Sequence, residues 1–279
     1  MQLSPSVSLE SSPSLVDCLE VNNAFAFAKI SLFGGHIISF CPKSDQRERL
    51  WLSDKTRLDG SKAIRGGVPI CWPWFGHHVD SQFPAHGYVR EQLWHVTRCE
   101  DTGAGTEITL APETCVGDGF DGLAALRLKI IVGQQLKIEL ITENIGNSSF
   151  SYNAALHSYF SVDDIQRTRL SGLSGKYIDK VAQRTIATTP ETYIFSTETD
   201  RIHLVAAPQV TIEVPAYSIP IYSEGHDSVV VWNPWIEKSA GMSDMTKQGY
   251  LNLLCVETAI TQDKILAAGE VHRLVQTIG

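Results

Sequence analysis

From residue 18 onward, apolar and polar positions alternate with a period of two, the spacing of a strand with one face inward and one outward. In 24–30, Phe25, Phe27 and Lys29 share one side, and the alanines and Ile30 the other. In 125–132, Leu126, Leu128, Ile130 and Val132 point one way, against Arg127 and Lys129. Gly133-Gln134 then reads as a tight turn, and 135–144 repeats the pattern with Leu136, Ile138 and Leu140. Together these predict an antiparallel hairpin with one wet face. Similar short runs lie at 36–40, 92–98, 106–111, 152–160, 202–206, 209–214, 228–232, 251–258 and 271–277. Gly, Pro, Asn and Asp punctuate them, and few windows have helical periodicity. The pattern predicts an all-β sandwich or barrel. No linker-like stretch interrupts 18–279, which reads as one domain, preceded by a Ser- and Pro-containing irregular lead-in over 1–17.

Composition narrows this a little. The chain has 279 residues, 43% hydrophobic and 19% charged, enough for a large core. A net charge of -8 argues against a nucleic-acid partner but leaves room for a local basic pocket that holds a small anion. The six cysteines are scattered without a C-x-x-C pair, which reads as free thiols in a reducing compartment. The start lacks a basic, then apolar, leader, and no apolar run reaches the roughly 20 residues that span a bilayer. The expectation is a cytoplasmic monomer with no membrane partner.

Four segments break the strand pattern and carry the candidate chemistry. In 64–76, Arg65 precedes Gly66-Gly67, and Trp72 and Trp74 follow. Glycines let backbone approach a ligand closely, and indoles can stack on sugar rings; the same composition also fits a packed turn with core aromatics. In 84–90, His86 and Arg90 follow closely, so that Arg65 and Arg90 could clamp a phosphate. The alternatives are a structural histidine and a surface ion pair. In 151–160, a continuous strand would place His157 on a small polar face with Asn153, Ala155 and Tyr159. In 251–259, Glu257 is a carboxylate within an apolar strand, so it is either ion-paired to Arg or Lys or has a task. No histidines have metal-ligand spacing such as H-E-x-x-H, and neither a metal nor an organic cofactor is implied.

The ordered set Arg65-Gly66-Gly67-Val68-Pro69, Trp72-Pro73-Trp74-Phe75-Gly76, Pro84-Ala85-His86-Gly87-Tyr88-Val89-Arg90, Ala155-Leu156-His157-Ser158-Tyr159-Phe160, Thr199-Asp200-Arg201, Trp232-Asn233-Pro234-Trp235 and Val256-Glu257-Thr258 resembles the glucose-6-phosphate 1-epimerases, or hexose-6-phosphate mutarotases, of the galactose-mutarotase-like superfamily. The resemblance implies a large twisted antiparallel β-sandwich, a supersandwich, with its active site in a concave cleft. It implies His157 and Glu257 as the catalytic pair, Arg65 and Arg90 as phosphate ligands, and His86 and Asp200 as sugar contacts. Some relatives carry Gln where this chain has Ala85. Segments typical of plain aldose 1-epimerases, N-x-x-H-G and D-G-x-P-G, are not evident, which favours a sugar phosphate as the small-molecule partner. A carbohydrate-binding module without activity and a mutarotase for unphosphorylated sugars are the competing readings; a glycoside hydrolase would ordinarily need two facing carboxylates.

Overall fold

The computed structural model describes residues 2–279, in which twenty-one strands pair into three antiparallel sheets. The first sheet runs β1 (Val7–Ser12), β2 (Leu15–Asn22), β3 (Ala26–Ser31), β4 (His36–Pro42). The second runs β14 (Thr185–Thr188), β13 (Lys176–Asp179), β16 (Thr199–His203), β19 (Ser228–Asn233), β20 (Leu253–Leu266), β10 (Phe150–Leu156), β5 (Ile70–Cys71), with β11 (Tyr159–Ser161) also paired to β20. The third runs β15 (Tyr193–Ile194), β12 (Arg169–Ser171), β17 (Gln209–Val214), β18 (Tyr217–Glu224), β21 (Val271–Ile278), β9 (Leu136–Asn144), β8 (Ala124–Val132), β7 (Gly105–Pro112), β6 (Trp94–Thr102). The α-helix among the described residues is α1 (Trp235–Gly241). No helix among them is long and apolar enough to cross a membrane.

The second and third sheets form the sandwich. Val229 and Val231 of β19 and Leu254 and Val256 of β20 join one buried cluster with Leu128, Ile138, Ile221 and Leu274 of the third sheet. The 125–144 hairpin is present as β8 and β9, with its apolar positions fully inside. Its connection is one residue longer than the sequence pattern predicts, because Val132 pairs with Leu136. Gly133 is required there, since a Cβ would lie 2.4 Å from the Ala104 carbonyl.

Two expectations change. The expected irregular lead-in over 1–17 contains regular structure: β1 lies inside it and pairs with β2, Val7 with Val21 and Leu9 with Leu19. Of β1 only Val7 is fully buried, so this edge strand is held by backbone pairing and leaves little hydrophobic pattern to read. The run 152–160 is not one strand: it breaks at His157-Ser158 between β10 and β11. In β3 the alanine face is the buried one, whereas Phe27 is 47% exposed beneath the Lys43 ammonium. β18 is an additional strand whose pattern Pro220 obscures, since proline normally argues against an inner strand.

Candidate active site

The site lies on the face of the second sheet that points away from the sandwich core. Period two sends Leu254 and Val256 of β20 into the core and Cys255 and Glu257 to the other side. Cross-strand register then fixes their neighbours: Asp200 lies opposite Trp232, Trp232 opposite Cys255, and Cys255 opposite Tyr159. One strand step away, Ile202, Val230 and Glu257 form a parallel row. Four strands remote in sequence thus present one continuous face.

His157 meets Glu257 here, with Nε2 3.4 Å from Oε1. Its backbone N–H donates to the Pro69 carbonyl at 3.0 Å, one step beyond the pairing of Leu156 with Ile70. Tyr159 stacks on the imidazole at 4.9 Å and 12°, and Trp232 meets it edge-on at 6.4 Å. The Asn153 side chain donates to Asp263 at 3.1 Å. Glu257 is only 1% exposed and has no Arg or Lys ion pair among the described residues, so its partner is the histidine. Burial, reinforced by Asp200, pushes the Glu257 carboxyl well above its ordinary range. Burial, with His86, Arg90 and Arg65 adding to it, holds the His157 imidazole well below its own. The two groups therefore share one proton in a setting that resists separated charges.

Cationic groups flank the pair. Arg65 is held by Asp244, which accepts from Nε and Nη2 at 3.0 Å, and Nη1 donates to the Tyr159 hydroxyl at 2.8 Å. The adjoining loop is pressed against the body of the protein: Gly67 donates to Trp51 and accepts from Tyr159. A Cβ on Gly66 (φ 116°) would sit 2.4 Å from the Trp51 carbonyl, so this turn accepts only glycine. Arg90 makes no ion pair among the described residues; Nη2 donates to the Ala85 carbonyl at 2.8 Å. Ala85 thus contributes through its backbone.

His86 adopts a left-handed backbone (φ 68°) and its ring lies 5.5 Å from that of His157. Its Nδ1 accepts from the Gly76 N–H at 3.3 Å, and burial, followed by Arg90, lowers it to about 3. Asp200 pairs with Lys180 at 3.0 Å. All six residues named from the sequence therefore border one region, through these contacts or through the charges that act on His157 and Glu257.

The tryptophans do not behave as stacking platforms. Trp72 is fully buried among Tyr88 and Phe120, and Trp74 is buried with Nε1 on the Pro84 carbonyl. The packed-turn alternative describes them, and Phe75 is the aromatic that reaches His86 and His157. Sequence reading missed Lys180, Asp244 and the role of Tyr159. The first two are surface-type charges with no local pattern, whereas Tyr159 lies two residues from His157 within a segment already singled out. Among the described residues, buried side-chain atoms without a partner include His157 Nδ1, Glu257 Oε2 and Arg90 Nε, so unmet hydrogen-bonding capacity collects at this site. Two surface cavities of about 720 and 630 Å³ lie elsewhere, and neither is lined by His157 or Glu257.

Known proteins share this fold and resemble this sequence. The sequence model of the family described as aldose 1-epimerase matches residues 17–279. An Escherichia coli protein with the provisional name glucose-6-phosphate 1-epimerase is 35% identical over 272 residues, covering 94% of this chain and 89% of that one. A Cenchrus ciliaris protein with the same provisional name is 32% identical, covering 97% and 86%. The crystal structure of a provisionally named mutarotase from Salmonella typhimurium superposes with a TM-score of 0.90 at 32% identity, covering 99% of this chain and 94% of that one. Matched over nearly its whole length in sequence and in fold, the chain belongs to the aldose 1-epimerase family.

Proposed function

We propose that this protein interconverts the α and β anomers of a hexose 6-phosphate, with glucose 6-phosphate as the first substrate to test. The observation that carries the reading is the buried His157–Glu257 pair at 3.4 Å, flanked by Arg65 and Arg90. The relatives' names give the same reaction and sugar phosphate.

Mutarotation needs only proton transfers. Glu257 takes the proton from the C1 hydroxyl while His157 gives one to the ring oxygen. The C1–O5 bond breaks, the aldehyde rotates about C1–C2, and the ring closes on its other face with the two roles reversed. Each positioned acid or base supplies about 10²–10⁴-fold. This direction requires the shared proton on His157. A phosphate between Arg65 and Arg90 neutralises the two cations that depress His157, and so favours the protonated imidazole. The arginines thereby hold the substrate and tune the acid. Burial of Trp72 and Trp74 removes the indole platforms on which a purely sugar-binding module would rely.

The test is anomer exchange of glucose 6-phosphate followed by NMR. His157→Ala and Glu257→Gln should each slow exchange by about 10²–10⁴-fold; wild-type rates in either variant would overturn the assignment. Arg65→Ala should raise KM for glucose 6-phosphate far more than for glucose, and equal effects on both sugars would remove the phosphate from the reading.

A further inference from the structure

Cys255 has no part in the chemistry above, yet it faces the same way as Glu257 and lies directly opposite Tyr159. A ring nitrogen of His157, the Cys255 sulfur and a Glu257 carboxylate oxygen all lie within 4.8 Å of one another. We propose that His157, Cys255 and Glu257 form a binding site for a thiophilic divalent cation, Zn²⁺ above all, and that its occupancy inhibits the enzyme reversibly.

The donor set suits that class of metal. Imidazole, thiolate and carboxylate are the zinc donors, and three protein ligands leave a fourth position for water. Zinc bonds of about 2.0–2.3 Å place tetrahedral ligand atoms about 3.3–3.7 Å apart. The His157 Nε2 to Glu257 Oε1 separation of 3.4 Å already matches such an edge. The sulfur needs to close by about 1 Å, within reach of a side-chain rotation. A second observation points to a ligand independently: Glu257 is 1% exposed and its Oε2 has no hydrogen-bond partner among the described residues.

Charge balance also works. A thiolate and a carboxylate together cancel the two positive charges of the cation. Arg65 and Lys180 oppose it weakly, because Asp244 and Asp200 already pair with them at 3.0 Å, and Arg90, without an ion pair among the described residues, is the cation that opposes it most. Each ligand binds in its deprotonated form, so metal binding releases protons to solvent. Softness selects the cation: Mg²⁺ and Ca²⁺ prefer oxygen ligands and gain nothing from the sulfur. Access is through the 12% of the His157 side chain that is exposed, the same side from which a sugar must enter.

The cation site itself does not depend on the anomerase reading, but the inhibition does, and two readouts separate them. Co²⁺ added to the purified protein should give the visible bands of tetrahedral cobalt and a near-ultraviolet thiolate-to-cobalt band; Cys255→Ser and Cys255→Ala should both lose the thiolate band. In the NMR exchange assay, Zn²⁺ should suppress wild-type turnover, EDTA should restore it, and Mg²⁺ should have no effect. Both Cys255 variants should keep anomer exchange and need at least about tenfold more Zn²⁺, since even outer-shell changes cost 10–100-fold in metal affinity. No thiolate band in the wild type, or a band that survives in both variants, would overturn the site. Equal zinc sensitivity of wild type and variants would overturn the inhibition. A protein that shows the cobalt band but no anomer exchange would retain the site and lose the reading of function.

Discussion

Tyr159 touches both halves of the site. Its hydroxyl accepts from Arg65 at 2.8 Å and its ring stacks on His157 at 4.9 Å. It is a positioning residue, and the two contacts can be separated. Tyr159→Phe keeps the ring and removes the hydroxyl, freeing one guanidinium nitrogen of the proposed phosphate ligand. A hydrogen bond to a charged group contributes about 1.5–3 kcal/mol, so KM for glucose 6-phosphate should rise roughly tenfold or more, with kcat little changed. Tyr159→Leu also removes the stack and should lower kcat. If Tyr159→Phe lowers kcat and leaves KM alone, the hydroxyl does not act through Arg65. His157 and Glu257 were legible as polar groups within runs of strand residues, Arg65, His86 and Arg90 as members of segments that break the strand pattern, and Asp200 only through the resemblance. The bond of Tyr159 to Arg65 was not, because it joins positions 94 residues apart.

At the scale of elements, β20 carries the active face on one side and a buried polar network on the other. Gln276 of β21 bonds Ser158, Thr258 and the Val256 carbonyl, and Thr258 bonds Ser223. These groups lie between the sheets, behind the junction of β10 and β11. Ser158 follows His157 directly, so the network anchors the backbone beside the histidine. Gln276→Ala leaves several of these groups unpaired and opens a small cavity, and should destabilise the protein by about 2–4 kcal/mol. Urea unfolding measures this; an unchanged midpoint would show that the network contributes nothing. That 251–258 forms a strand is readable from its apolar run. The bonds of His157 to Pro69 and of Ser158 to Gln276 are not, because those partners lie far along the chain.

At the scale of the molecule, buried histidines couple stability to pH. Burial lowers His36 to about 4, with Arg90 adding to it, and burial followed by Arg201 lowers His203 to about 4. Unfolded, both would titrate near 6.5. Below that pH the unfolded chain takes up protons that the native state refuses, so stability falls with acidification. It is fully present above about pH 6.5 and is lost down to about pH 4, by at most about 3 kcal/mol for each histidine. Urea midpoints at about pH 7.5 and pH 4.5 should differ accordingly, and His203→Gln should flatten the dependence. A midpoint independent of pH over this range would contradict the burial of both rings.

The sequence by itself determined the strand periodicity, the all-β class, the faces of β8 and β9, and the residue types of the site. Local alternation encodes these, because a strand's two faces meet different solvents. It did not determine that β1 forms, that Trp72 and Trp74 are core, that Phe27 is outside, or that Cys255 lies against the acid–base pair. Those depend on which strands become neighbours. Cross-strand register brings Asp200, Trp232, Cys255 and Tyr159 into one row from four separate segments. Only the folded sheet sets that row, since its pairings are fixed by the packing of the whole sandwich and by no stretch of chain alone.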